Sequence, residues 1–184
     1  MDQRQGDHYE YIASYVDDLL IWTRDENSIL DDIRKEFDLK NVGPPDYYLG
    51  GNVEYLTEHW TKENIGLGFS GKTYIENMIP KFEELFGTNF KSLKTPMAAD
   101  YHPETDDSPL LSDDDAAKYR SIIGSLNWLV TLGRFDVHYA TNTLSRYGMA
   151  PREGHLVAAQ KVLCYLKTFS LKIYLIHPMQ FSIM

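Results

Sequence analysis

The sequence predicts an α+β chain, and three observations carry that prediction. Short runs of strand-forming residues recur between positions 11 and 70. Helical periodicities separate them. Past an acidic, proline-bearing stretch, three more helical patterns follow with no strand between them. Strands gathered in one part and helices in another make an α+β arrangement rather than alternating βα units.

The elements follow in order. Residues 11–23 read YIASYVDDLLIWT, two apolar runs rich in Tyr, Ile, Val and Trp around Asp17-Asp18. Such residues favour strands and an acidic pair tolerates a turn, so a β-hairpin with both carboxylates at its tip is expected. Residues 25–40 carry a helical face of Ile29, Leu30, Ile33 and Phe37, with Asp25, Asn27 or Ser28 as the cap. Gly43-Pro44-Pro45 makes a loop. DYYLGGNVEYL (46–56) reads as a strand in which Gly50-Gly51 weakens pairing or admits a close backbone approach, and NIGLGF (64–69) as its partner. Residues 72–86 form an amphipathic helix through Tyr74, Ile75, Met78, Ile79, Phe82 and Phe86, stopped by Gly87 and interrupted in pattern by Pro80.

Residues 88–115, with Pro96, Pro103, Pro109 and the acidic cluster, are expected to be an exposed, mobile linker. Asp113, Asp114 and Asp115 suit a helix N-terminus, and that helix runs through Tyr119, Ile122, Ile123, Leu126 and Leu129. A second covers about 136–147. A third follows Pro151 and carries Val157, Val162, Leu163 and Leu166.

Composition narrows the function classes. The 184 residues are 43% apolar and 24% charged, which excludes disorder throughout. No run of eighteen apolar residues occurs and MDQRQGDHYE lacks an apolar signal core, so neither a membrane span nor a secretory signal is expected. One cysteine, Cys164, forms no internal disulfide, which points to an intracellular chain. The net charge of −9 is unevenly spread. Residues 1–100 hold 19 acids and 10 bases, 101–115 six acids and no base, and 116–184 two acids and eight bases. The last part is thus a basic unit, suited to polyanions.

Two adjacent carboxylates at a hairpin tip repel, and a divalent cation removes that penalty. Mg²⁺ takes carboxylate oxygens, keeps several waters and accepts phosphate oxygens as further ligands. YVDDLLI (15–21) resembles the Tyr-x-Asp-Asp box of reverse transcriptases. Six further segments resemble copia-type LTR-retrotransposon reverse transcriptases in the same order: LKNVGPPDYYLGG (39–51), KTYIENMIPKF (72–82), KTPM (94–97), YRSIIGSLNWL (119–129), GRFDVHYATNTLSRY (133–147) and PREGHLVAAQKVLCYLK (151–167). Val42, Gly51 and Phe135 depart from that pattern, the last two standing where an apolar residue and a proline are usual.

The resemblance implies a fold: the C-terminal part of a polymerase palm over 1–97, an acidic linker over 98–115, a helical thumb or connection region over 116–170, and a tail over 171–184. It also implies roles. Asp17 is a ligand for the catalytic Mg²⁺ (or Mn²⁺) in nucleotidyl transfer, Asp18 a supporting ligand, and Tyr15 a neighbour of the primer terminus. Tyr48, Leu49 and Gly50 form the primer grip. Lys118, Arg120, Arg134, Arg146, Lys161 and Lys167 are candidates for backbone phosphates. The implied partners are an RNA/DNA primer-template and deoxynucleoside triphosphates, in the cytoplasm (a virus-like particle) or the nucleus. The family's third catalytic carboxylate and its fingers lie upstream of the matched boxes, and its RNase H domain downstream. The expectation is therefore that these 184 residues alone do not extend a primer, and that an isolated palm piece is poorly soluble.

Two other readings compete. Gly66-Leu67-Gly68-Phe69-Ser70-Gly71-Lys72-Thr73 fits the phosphate-cradling pattern G-x-x-x-x-G-K-[ST], although no buried strand is expected before it. A non-catalytic nucleic-acid-binding remnant would keep only the basic helices. His8, His59, His102, His138, His155 and His177 show no metal spacing, and His155 suits a structural role at a helix start.

Overall fold

The computed structural model describes residues 3–5, 8–23, 25–56, 66–171 and 174–176. It divides into two compact units, residues 1–49 and 50–184, and is mixed α and β, with antiparallel sheets and five α-helices among the described residues.

In the first unit, strands β1 (Gln3–Gln5), β2 (His8–Tyr15) and β3 (Asp18–Trp22) form an antiparallel sheet in that order. Helix α1 (Glu26–Arg34) begins where Asp25 accepts a hydrogen bond from the Ser28 amide at 3.3 Å, which settles the cap among the three candidates. It stops six residues short of the expected end. Lys35 and Glu36 bond back three residues, to the Asp32 and Ile33 carbonyls, which tightens the last turn. Phe37 therefore leaves the apolar face and is exposed. A two-residue strand, β4 (Tyr47–Tyr48), ends the unit, where Leu49 and Gly50 take positive φ of 47° and 85°.

In the second unit, β5 (Gly51–Leu56), β6 (Gly66–Ser70) and β7 (Tyr174–Ile176) pair antiparallel in that order. The strand β7 falls in the segment expected to be a tail. Helix α2 (Lys72–Phe86) matches the expected range and runs unbroken through exposed Pro80. Gly87 ends it in the left-handed conformation, φ 58°, with its amide on the Glu83 and Glu84 carbonyls. Helices α3 (Asp113–Thr131), α4 (His138–Ser145) and α5 (Glu153–Thr168) follow. Ile75, Met78, Ile79 and Phe82 of α2, Tyr119, Ile122, Leu126 and Leu129 of α3, Ala140 and Leu144 of α4, and Val162, Leu163 and Leu166 of α5 form one core. Their three- and four-residue spacing is what puts each set on one helix face.

The acidic stretch is no loose linker. Pro103 is buried, Leu110 bridges to Arg152, and the Leu111 amide donates to the Pro151 carbonyl at 3.0 Å. The Glu153 amide donates to the Pro109 carbonyl at 3.0 Å, and the Gly154 amide to the Ser108 hydroxyl at 3.0 Å. The Pro109 carbonyl and the Ser108 hydroxyl thus satisfy two amides that the first turn of α5 leaves open. Charge composition suggested mobility, but these backbone bonds fix the segment.

Candidate active site

The hairpin is built by cross-strand pairs. Tyr11 faces Trp22, Ile12 faces Ile21, Ala13 faces Leu20, Ser14 faces Leu19 and Tyr15 faces Asp18. Val16 and Asp17 are left as a two-residue connection, the tightest a hairpin allows. Such turns need positive φ, and Val16 adopts 54°. A β-branched residue there is strained, at a cost of about 1–3 kcal/mol. Asp17 sits at the tip. Asp18 is the first residue of the returning strand, on the same sheet face as its partner Tyr15.

The tip is open to water: Val16 is 88% and Tyr15 60% exposed, and both aspartates are exposed. Among the described residues neither carboxylate has a hydrogen-bond or ion-pair partner. Two unpartnered hard-oxygen donors, adjacent and solvated, fit one Mg²⁺ that keeps its other ligands as water or phosphate. No group of three His, Cys, Asp or Glu side chains suited to a metal occurs among the described residues. Farther along the hairpin, Glu10 is buried and accepts a 2.5 Å bond from the Thr23 hydroxyl, which ties the two strands away from the tip.

Tyr48, Leu49 and Gly50 form a separate turn. Tyr48 and Leu49 are half-buried. At Gly50 the positive φ coincides with a tight approach, since a Cβ there would stand 3.1 Å from the Trp128 ring. Gly51 is more constrained, because its Cβ would meet the Phe69 ring at 2.1 Å. The departure from the usual apolar residue at 51 thus has a local cause, in that Phe69 covers the glycine from the neighbouring strand.

The six basic candidates separate into two groups. Lys118 pairs with Asp114 at 2.7 Å and Asp115 at 2.9 Å, and Lys167 with Glu83 at 2.7 Å. Arg134 is the correction: it is 1% exposed, its Nε and Nη2 donate to the Asp136 carboxylate at 2.9 Å each, and Nη1 reaches the Ser170 carbonyl. Tyr165 donates its hydroxyl to the same carboxylate at 2.8 Å. Arg134 is thus a buried cross-brace and presents nothing to a phosphate. Arg120, Arg146 and Lys161 are exposed, the two arginines resting on the Gly148 and Thr143 carbonyls at 3.5 Å.

The phosphate-loop reading fails on geometry. Gly66–Ser70 is a strand whose backbone pairs with β5 and β7, so its amides are not free to cradle a phosphate. Lys72 already lies in α2, 3.9 Å from Glu76, and the Thr73 amide and hydroxyl are taken by Asn52 at 3.0 and 2.9 Å. Sequence reasoning missed the Asp106–Ser108 contacts with α5. The one available signal is Gly154, an unfavourable helix residue, where a Cβ would lie 2.0 Å from an Asp106 oxygen.

No protein-family model matches the sequence. No solved structure matches it. Curated relatives do. The putative transposon Ty5-1 protein of Saccharomyces cerevisiae is 33% identical over 162 residues, 86% of this chain and 49% of that protein. The retrovirus-related Pol polyprotein from transposon RE1 of Arabidopsis thaliana is 31% identical over 172 residues, 89% of this chain and 10% of the polyprotein. The corresponding polyprotein from transposon TNT 1-94 of Nicotiana tabacum is 30% identical over 160 residues, covering 83% and 11%. The chain thus spans about half of the yeast protein and about a tenth of each plant polyprotein. Over most of its length, then, the chain is similar to retrotransposon proteins, Pol polyproteins among them, at about 30% identity.

Proposed function

We propose that the chain is part of a retrotransposon reverse transcriptase and contributes the metal-binding hairpin of its polymerase site. The observation that carries this reading is the tight β2–β3 turn, which puts Asp17 at its tip and Asp18 at the first position of the returning strand, both solvated and unpartnered among the described residues. The similarity to Pol polyproteins supports the same class of element.

In this reading Asp17, at the tip, is the principal ligand and Asp18 a supporting one. Mg²⁺ bound there would neutralise charge on the α-phosphate as a primer hydroxyl attacks it in line. Tyr15, across from Asp18, lies beside the primer end. Tyr48, Leu49 and Gly50 grip that primer. The exposed Arg120, Arg146 and Lys161 hold template or primer phosphates through contacts that weaken as salt rises. RNA-directed DNA synthesis requires a third carboxylate from the upstream polymerase region, because two adjacent ligands do not place two ions.

Primer extension tests this. The 184 residues alone yield no extension on an RNA template. Joined to the upstream polymerase region of the RE1 relative they extend a primer with Mg²⁺, and Asp17→Asn abolishes synthesis. An active fusion indifferent to Asp17→Asn refutes the assignment.

A further inference from the structure

Two glycines face neighbouring residues of α3. Gly50, with φ 85°, faces the Trp128 ring, from which a Cβ would stand 3.1 Å away. Gly71 faces Leu129, where a Cβ would stand 3.1 Å from Cδ2. Gly50 comes just before β5 and Gly71 just before α2. Both bring backbone close to one turn of α3, where a side chain would crowd.

The start of α2 does not cap itself. Its N-cap is Gly71, which has no side chain to accept a bond. Its first turn holds no acid, and Lys72 sets a positive charge at the positive end of the helix. The first intrahelical bond runs from the Ile75 amide to the Gly71 carbonyl at 3.1 Å, so the amides of Lys72, Thr73 and Tyr74 need partners from elsewhere. Asn52, on β5, supplies one. Its Oδ1 accepts from the Thr73 amide at 3.0 Å, and its Nδ2 donates to the Thr73 hydroxyl at 2.9 Å. An amide only donates, which fixes the end of the Asn52 side chain that faces it.

Asn52 therefore joins three pieces. Its backbone stands opposite Ser70 in the β5–β6 ladder, two residues after Gly50. Its side chain is fixed to the first turn of α2, and α2 is held in the core by Ile75, Met78, Ile79 and Phe82. We infer that Asn52 is a positioning residue: by capping α2 from β5, it holds the Gly50 turn on the Trp128 ring. The part played by Gly50 in gripping a primer rests on the polymerase reading, whereas the coupling of Gly50 to α2 does not. In that reading a primer end bound at Gly50 acts on β5, and Asn52 ties β5 to a helix anchored in the core, so the grip keeps its place.

The coupling is tested on the full chain labelled with fluorotryptophan, the Trp128 fluorine resonance being assigned by its loss in Trp128→Phe. Asn52→Ala should speed hydrogen exchange of the Thr73 and Tyr74 amides about fivefold, the usual effect of a lost cap. It should also shift the Trp128 resonance, although Trp128 does not touch the deleted bonds. Asn52→Asp should restore both readings, since its carboxylate accepts from the Thr73 amide and hydroxyl alike and suits a helix N-terminus. Thr73→Val removes only the hydroxyl and should give smaller changes in the same direction; this variant keeps the test decisive if the alanine variant fails to fold. Glu54→Ala cuts the side-chain bond from Ser70 within the β5–β6 pair and should leave Trp128 unmoved. An unmoved Trp128 in Asn52→Ala, an equal shift in Glu54→Ala, or no rescue by aspartate overturns the coupling. In the fusion with the RE1 upstream region, Asn52→Ala should raise the KM for primer-template about fivefold with kcat nearly unchanged. An unchanged KM beside a shifted Trp128 overturns the positioning role and leaves the polymerase reading intact. A fusion inactive with Asn52 in place refutes that reading and the grip with it, while the Trp128 resonance still decides the coupling.

Discussion

The β2–β3 hairpin and the α2–α5 core treat polar and apolar groups in opposite ways. In the hairpin, Tyr11, Tyr15, Leu19 and Trp22 are all exposed, and its two aspartates have no partner among the described residues. In the helical core, Tyr119, Leu126, Leu129 and Leu163 are fully buried. Every buried side-chain polar atom described there is hydrogen-bonded, down to the Tyr119 hydroxyl on the Leu144 carbonyl at 2.6 Å. A small three-stranded sheet has little apolar surface to bury, whereas four packed helices bury whole faces. The core therefore supplies the stability, and the hairpin is free to carry strain at Val16 and adjacent like charges at Asp17 and Asp18. Substitutions that respect this division should cost stability in the core and function in the hairpin.

The largest loss should come from Asp136→Ala. It strands the Arg134 guanidinium, 1% exposed, without its bidentate partner, and removes the acceptor of the Tyr165 hydroxyl. A buried ion pair broken on one side costs about 3–5 kcal/mol. Denaturant unfolding should show a drop of that order, and a change within about 0.5 kcal/mol would show that Arg134 finds other partners. Next comes Gly51→Ala, whose Cβ would meet the Phe69 ring at 2.1 Å. Overpacking of this kind costs about 1–3 kcal/mol. Phe69→Leu in the same chain should recover much of it; equal losses in the single and double variants would place the cost in the glycine backbone instead.

How much of this was legible in the sequence depended on the range of the interactions. The periodicity of Ile75, Met78, Ile79 and Phe82 and the glycine at 87 fixed α2 to the residue, because helix faces and caps are local properties. The hairpin was legible for the same reason, and the Val16 turn follows once Tyr15 pairs with Asp18. Arg134 was misread because an arginine in a basic segment looks like surface charge; Asp136 stands only two residues on, but folding alone buries the pair and brings Tyr165 to it. The acidic stretch was misread because its stabilising groups are mostly backbone carbonyls, which leave no trace in composition. Phe37 failed for a third reason: its spacing fits the α1 face, but Asp38, Asn41 and Gly43 ahead of it are poor helix formers, and the helix ended first.

A smaller effect is expected at Glu83. The Lys167 ammonium, bonded at 2.7 Å, is the main cause that holds its carboxyl below the usual range. A carboxyl lowered on folding adds stability above its unfolded value, about 4.3, and loses it as the pH falls through the folded value. Glu83→Gln should therefore lower the melting temperature slightly at neutral pH and flatten its fall below about pH 4.5. If the acid limb of the melting curve is unchanged, the ion pair at this exposed site contributes nothing.

The smallest effect on stability, and the sharpest test of the contrast, belongs to Asp17→Asn. The side chain is exposed and has no partner to lose, so the change should stay within about 0.5 kcal/mol. It should even favour folding slightly, since Asp18 loses a like-charged neighbour. Metal affinity should move the other way: Mn²⁺ titration, followed by paramagnetic broadening of the Tyr15 and Asp18 amides, should weaken markedly. The same titration on Asp136→Ala should leave the hairpin signals as in the parent, because the core brace takes no part in the tip. If Asp17→Asn unfolds the chain, the tip is a structural element; if it leaves both folding and Mn²⁺ broadening untouched, Asp18 alone holds the ion.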